Sequence, residues 1–354
     1  MKKNIRFEHQ SGSALFACTK RLETKDLKAP TPEVFDTAYD GRAILSLSDF
    51  IGMVFPNGDA NQKPMLYIRH TDMLKKQFRF GNLLELGDDW LDVQKGAYHV
   101  EEVGQSGSPI STYHQIDDEH SGYEALEYPA SFVFGKDRFH VKEGSFMELD
   151  YETWPYAIIE HESMYNNVST IIQAGSIMGL YENKPCLGLG EHDRLFIPSE
   201  VHGFDGITNA FGYFYMNMMG IREDDGRREQ ALISIDPFHG KNFCYYYIDG
   251  ETPILTDKVE METEWKKLPY VDDGTCVYKD AIFRFGGKEL HFEGKWGSKG
   301  FTVKPRIEKH GQSQIFGTWY EGKTPYKHRL FMTFGENMEA YDHKLKGLGF
   351  DVTD

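Results

Sequence analysis
Short apolar runs and polar turn residues follow one another along much of this chain. Between residues 130 and 335, runs rich in Phe, Tyr, Val and Ile are broken at short intervals by Gly, Asn and Asp, and helical spacing is scarce. A period of two with frequent turn residues predicts antiparallel strands, so the chain reads as all-β with few short helices. Asp225-Gly226, Asp249-Gly250 and Gly286-Gly287 each lie between a pair of strand-like runs. Each predicts a β-hairpin, because these residues accept the positive φ angles of the tightest turns. The first 130 residues are less regular. "RAILSLSDFIGMVF" and "PMLYIRH" are strand-like, whereas the polar stretch 101–126 reads as a long loop.

One internal match stands out: residues 132–141, "FVFGKDRFHV", align without a gap on residues 283–292, "FRFGGKELHF". If the match marks a duplication, the chain holds two similar antiparallel units, residues 1–205 and 206–354. Each would curl its sheet to hide its edges.

Composition narrows the function. The 354 residues supply ample apolar side chains for a core. A net charge of −16, with 39 Lys and Arg against 55 Asp and Glu and no basic stripe, argues against a nucleic-acid partner. The opening "MKKNIRFEHQSGSALF" lacks a continuous apolar core, and no window approaches the ~18 apolar residues of a membrane span. A soluble, cytoplasmic chain is expected, and a homodimer is open. Cys18, Cys186, Cys244 and Cys276 are scattered without a C-x-x-C pair, which fits reduced core thiols. There is no phosphate loop, nucleophile elbow or dinucleotide fingerprint, so no cofactor is expected.

The candidate chemistry starts at "CLGLGEHDRLFIP", residues 186–198. Strand parity puts Leu187, Leu189, Glu191, Asp193 and Leu195 on one face, and Cys186, Gly188, Gly190, His192, Arg194 and Phe196 on the other. If the first face is the barrel interior, Glu191 and Asp193 enter an apolar cavity, where desolvation would suit a carboxyl group to general-acid work. The alternative is that Gly188 and Gly190 mark a bulge that resets the alternation and leaves the charges at a strand end in water. "WPYAIIEHE" is similar: Trp154, Tyr156, Ile158, Glu160 and Glu162 share a face, with His161 between the acids. An aromatic face ending in carboxylates suits an apolar ligand with a polar handle. His161 and His192 with their neighbouring acids could in principle bind a metal, but their spacing specifies none, and no metal site is assigned. Asn217 shares its face with Tyr213, Tyr215 and Met219, as a ligand-orienting amide or a hydrogen-bonded core amide. Asp236 with His239, and Glu321 with His328, are weaker candidates.

The run Gly188-Leu189-Gly190-Glu191-His192-Asp193 resembles the Gly-x-Gly-x-x-Asp-His segment of the lipocalin-like double-barrel superfamily. That group includes the AttH-like proteins and carotenoid 1,2-hydratase, and is related in fold to natural-product cyclases and Diels–Alderases. Gly188, Gly190 and Asp193 match; Arg194 stands where the family has His, and Leu195-Phe196 where it has Trp-Gly. The resemblance implies two consecutive lipocalin-like barrels and chemistry at an alkene or polyene, singling out Asp193. Such chemistry needs an acid to protonate carbon and an apolar enclosure. Asp193 or Glu191 would be the acid, and His192 or His161 would position water or take the proton back. Trp154, Tyr156, Tyr213 and Tyr215 could stabilise positive charge through their π faces.

The leading expectation is therefore a cofactor-independent acid/base enzyme, a hydratase, lyase, isomerase or cyclase, acting on a hydrophobic small molecule such as a terpenoid or polyene. A non-catalytic carrier of a hydrophobic ligand is the second reading. A carbohydrate-active protein with paired carboxylates and Trp154, Trp265, Trp296 or Trp319 as sugar platforms is the third.

Overall fold
The computed structural model describes residues 2–8, 17–23, 44–72, 77–85, 111–115, 121–125, 130–134, 138–162, 168–198, 214–237, 241–268, 272–299 and 313–354. They fall into two compact units, each built on one curled antiparallel sheet. Strand β1 (Lys3–Glu8) belongs to the second unit. The first unit holds β2 (Ala17–Glu23), β3 (Ile44–Pro56), β4 (Met65–Asp72), β5 (Gln77–Glu85), β6 (Ser111–Gln115), β7 (Ser121–Ala125), β8 (Ala130–Phe134), β9 (Arg138–Glu143), β10 (Met147–Glu162), β11 (Val168–Tyr181) and β12 (Lys184–Pro198). The second continues with β13 (Phe214–Arg222), β14 (Arg228–Asp236), β15 (Lys241–Ile248), β16 (Ile254–Thr256), β17 (Lys258–Lys267), β18 (Cys276–Phe285), β19 (Lys288–Lys299), β20 (Ser313–Glu321), β21 (His328–Asn337) and β22 (Val352–Thr353), with one short helix, α1 (Asp342–Gly347), among the described residues. The all-β expectation holds. The stretch 101–126, expected as a loop, carries β6 and β7, whose Tyr113 and Tyr123 are register partners. Tyrosine and threonine favour a pleated surface even in polar company.

The first sheet runs β5-β4-β3-β12-β11-β10-β9-β8-β7-β6, with β2 also on β10, and curls until β5 approaches β6 and β7. The second runs β16-β15-β14-β13-β21-β20-β19-β18-β17-β1 and brings β15 toward β17 and β1. Both share one plan: the first long strand, β3 or β13, pairs with the last, β12 or β21, and successive strands extend from that central pair. On this plan β8 and β9 correspond to β17 and β18. The ten-residue sequence match instead places them on β18 and β19. Its hairpins also differ, Phe134 pairing with Phe139 but Phe285 with Lys288. The repeat lies in topology, and the sequence match does not mark equivalent strands.

Alternation sets each sheet's faces. On β10, Met147, Leu149 and Tyr151 are buried while Glu148, Asp150 and Glu152 are exposed. The interior is where strands distant in the sheet meet: the Phe50 ring of β3 lies 6.0 Å from Phe132 of β8 and 5.3 Å from Tyr151 of β10. Pro155, which cannot donate to a ladder, sits inside a register shift between Thr153 and Ala157. In the second unit Gly226, Gly250, Gly286 and Gly287 all adopt positive φ at the turns where sequence places hairpins.

Strand β12 shows no such break. Its register on β11 and on β3 is continuous from Lys184 to Pro198, so Gly188 and Gly190 do not reset the alternation. They allow close approach instead. A Cβ on Gly188 would lie 2.2 Å from the Met53 carbonyl oxygen, and one on Gly190 3.0 Å from Ile177 Cδ1.

Candidate functional site
Unbroken alternation on β12, together with the ring contacts of His192, fixes which way the opening candidates point. Cys186 is 1% exposed and Leu187 41%. His192 is the register partner of Phe50, and its ring lies 4.6 Å from Phe139 and 5.5 Å from Phe132. The Cys186–Gly188–Gly190–His192 face is therefore the barrel interior. The expectation that Glu191 and Asp193 point inward with His192 outward is corrected: the carboxylates do share a face with Leu187 and Leu189, but it is the outward one. Two-residue alternation says which side chains stand together, not which side the sheet curls toward.

That outward face is buried too. Ile51 and Met53 of β3, Leu66 and Ile68 of β4, and Leu189 of β12 are each at most 5% exposed. Ala174 and Ile172 of β11 and Ile158 of β10 continue the apolar surface, also buried. Glu191 stands in the row Ile68, Ile51, Glu191, Ala174 and is 1% exposed. The next row runs His70, Asp49, Asp193, Ile172, Ile158, with Asp193 half-buried. A buried carboxyl in an apolar field, beside a second one two residues along the strand, is the composition an acid/base site for an apolar molecule requires.

Trp154 is buried in this unit, its Nε1 donating to Ser176 Oγ at 3.0 Å, and Tyr156 is half-buried in the irregular stretch. Glu160 and His161 take β-ladder positions opposite Thr170 and Ser169; their side chains, and that of Arg194, lie outside the described residues, as does Tyr213. In the second unit Tyr215 is half-buried, 6.2 Å ring to ring from Phe334. Asn217 is buried and its Oδ1 accepts from Gln230 Nε2 at 3.1 Å, a paired core amide. Cys186, Cys244 and Cys276 are free and buried, with burial pushing the Cys186 thiol up to about 11. Cys18's side chain lies outside the described residues.

Two charged clusters escaped the sequence reading except for His328, which sequence sets beside Glu321 and the structure sets against Glu229. Inside the first barrel Arg69 and Glu143, each about 1% exposed, form an ion pair, and the Tyr67 hydroxyl donates to the same carboxylate. The Arg69 Nε hydrogen bond to Glu143 measures 2.5 Å. Burial pushes the Glu143 carboxyl up against the pull of Arg69. In register Arg69 faces Phe50 and Phe50 faces His192, so arginine, phenylalanine and histidine line one inner row. The sequence signal was the inward parity of Met65, Tyr67 and Arg69, readable only once the interior is known.

In the second barrel the fully buried Glu229 accepts from Arg222 Nε at 3.0 Å and Nη2 at 2.8 Å, from Tyr326 at 2.7 Å and from Tyr246 at 3.3 Å. His328 Nε2 lies 2.5 Å from its Oε1. Burial alone would raise this carboxyl, but the His328, Arg222 and Tyr326 bonds outweigh it and hold it below the usual carboxylate range. Glycine at 220 makes room, since a Cβ there would meet His328 Nε2 at 2.3 Å. Among the described residues, no group of three His, Cys, Asp or Glu could hold a metal ion, and no helix is long and apolar enough to cross a membrane.

No protein-family profile matches the sequence, and no curated protein matches it. Among solved structures, the chain is similar to kievitone hydratase from Nectria haematococca at 9% identity and TM-score 0.47, covering 95% of this chain and 99% of that one. CghA in complex with Sch210972 is similar at 13% identity and TM-score 0.44, covering 91% and 99%. A Nitrosomonas europaea protein assigned as AttH is similar at 8% identity and TM-score 0.42, covering 89% and 98%. At this level of likeness none lends a residue role, a substrate or a reaction to this chain.

Proposed function
We propose that this protein is a cofactor-independent acid/base enzyme acting on a hydrophobic small molecule, with Glu191 and Asp193 as its proton-transferring groups. One observation carries the reading: Glu191 is 1% exposed in the middle of an outward sheet face otherwise built from Ile51, Met53, Leu66, Ile68 and Leu189. At Glu191 such surroundings accept an apolar molecule more readily than a polar one, and a carboxyl group already desolvated within them needs little reorganisation to transfer a proton there. Asp193, two residues along the strand at roughly 6.8 Å, completes a pair able to give a proton and accept one back. Addition of water to an alkene, its reversal, and double-bond isomerisation or cyclisation all share this demand. A terpenoid or polyene is the substrate class we propose.

His192 faces the other way and serves the inner packing of the barrel in this account. The burial of Glu191 also disfavours the carbohydrate reading, since paired glycosidase carboxylates border a cleft open to a sugar and to water. Native mass spectrometry of the purified protein tests the ligand class. A co-purifying apolar molecule of terpenoid or polyene mass supports the proposal, while selective retention of oligosaccharides contradicts it.

A further inference from the structure
The second unit carries a groove of about 450 Å³ on β18, β19 and β20, lined by Lys2, Lys279, Asp280, His291, Glu293, Lys295 and Tyr320 with an apolar floor that includes Ile282 and Phe292. Its positive groups are Lys2, Lys279, Lys295 and, when protonated, His291; its negative groups are Asp280 and Glu293. Lys2 and Asp280 pair at 3.8 Å. The His291 and Tyr320 rings stack at 4.9 Å and 6°, a flat wall for a planar group. In a chain of net charge −16, Lys2 and Lys279 are the groove's cations for a small anion when Lys295 is neutral, set against Asp280 and Glu293.

Lys295 is set apart by the backbone. The ladder between β19 and β20 shifts register between Gly294 and Trp296, and a bulge of this kind re-aims the residue within it. The Lys295 ammonium lies 5.5 Å above the Phe331 ring, while the residue as a whole keeps an exposed surface. Desolvation lowers its pKa from the ordinary lysine value against the opposing pull of Glu293, which raises the share of free amine near neutral pH.

We propose that this groove captures small aldehydes or ketones bearing an acid group, with Lys295 forming an imine to the carbonyl carbon and Lys2 and Lys279 holding the anion. The neutral Nζ attacks the carbonyl carbon and gives a carbinolamine. Loss of its hydroxyl with one proton, as water, leaves the C=N bond, and no electrons are exchanged with an outside partner. Glu293, whose charge acts on Lys295, is the group placed to pass that proton, while His291 lines the same groove with its Nε2 3.1 Å from Glu289 Oε1.

The test is reductive trapping on the whole protein at neutral pH, with glyoxylate or the uncharged propionaldehyde as probe, sodium cyanoborohydride as reductant, and peptide mass mapping. With glyoxylate, Lys295 is expected to be labelled at least about threefold faster than the exposed Lys184, Lys323 and Lys327. That ratio should fall with propionaldehyde, and also with glyoxylate in Lys279→Met. Labelling of Lys295 no faster than the exposed lysines overturns the proposal. An equal advantage with both aldehydes overturns the anion-holding role of Lys2 and Lys279.

Discussion

Arg69 and Glu143 stand on strands separated in the sheet by four others, and their side chains form an ion pair across the barrel interior. Both are about 1% exposed, so each depends on the other for its charge to be tolerated there. Arg69→Met or Glu143→Gln alone is expected to cost about 3–5 kcal/mol, because each leaves a buried charge without its partner. The double variant should recover much of that loss. Urea unfolding of the four proteins of the cycle measures it.

Glu229 gives the second barrel a pH dependence. Its carboxyl is held below the ordinary value of 4.5, with the bonds from His328, Arg222 and Tyr326 overcoming the effect of burial. A group depressed in the folded state contributes stability that is full above the unfolded pKa and is lost as pH falls through the folded one. The stability difference between the wild type and Glu229→Gln should therefore be constant near neutrality and shrink as pH drops below about 4.5. Trp319, whose ring lies 5.1 Å from His328, is a fluorescence reporter for that unfolding.

Sequence made the strands legible because a period of two and glycine-bearing turns are local properties. Asp225-Gly226 and Gly286-Gly287 needed nothing from the rest of the chain to be recognised as hairpins. The faces were only half legible. Alternation correctly grouped Glu191 with Asp193 and opposed them to His192, but the central strands of the first unit are apolar on both sides. Ile51 and Phe50 are equally good core residues by composition, at 5% and 0% exposure. Only the direction of curl distinguishes their faces. The Arg69–Glu143 pair was hidden for a related reason: the partners are 74 residues apart and meet through curvature, which no local pattern encodes.

The glycines of β12 separate close approach from turn formation. Gly188→Ala would place a Cβ 2.2 Å from the Met53 carbonyl and 3.0 Å from Val54 Cα, so the paired strands β12 and β3 must move apart. A loss of about 1–3 kcal/mol or more is expected, as for overpacking in a core. Gly226→Ala, at φ 73° with nothing within 4 Å, should lose only about 1 kcal/mol, from the positive φ alone. Thermal unfolding of the two variants side by side gives the comparison.

His192 is predicted to act on stability rather than on chemistry. It is fully buried, edge-on to Phe139 at 69°. His192→Ala should cost about 1–3 kcal/mol in urea unfolding, through lost packing against Phe139 and Phe132. His192→Phe should retain most of any turnover if the barrel still folds. Loss of turnover in a stably folded His192→Phe would assign the histidine a chemical role.

The central claim is that protons pass to and from the substrate through Glu191 and Asp193 on the outward face. It is tested most directly by deuterium incorporation, in D2O, into the product of a terpenoid or polyene that the wild type turns over. The wild type should place one deuterium on the carbon that is protonated. Glu191→Gln or Asp193→Asn, with the fold intact by circular dichroism, should slow that incorporation by about a hundredfold or more. Undiminished incorporation in both variants would contradict the account.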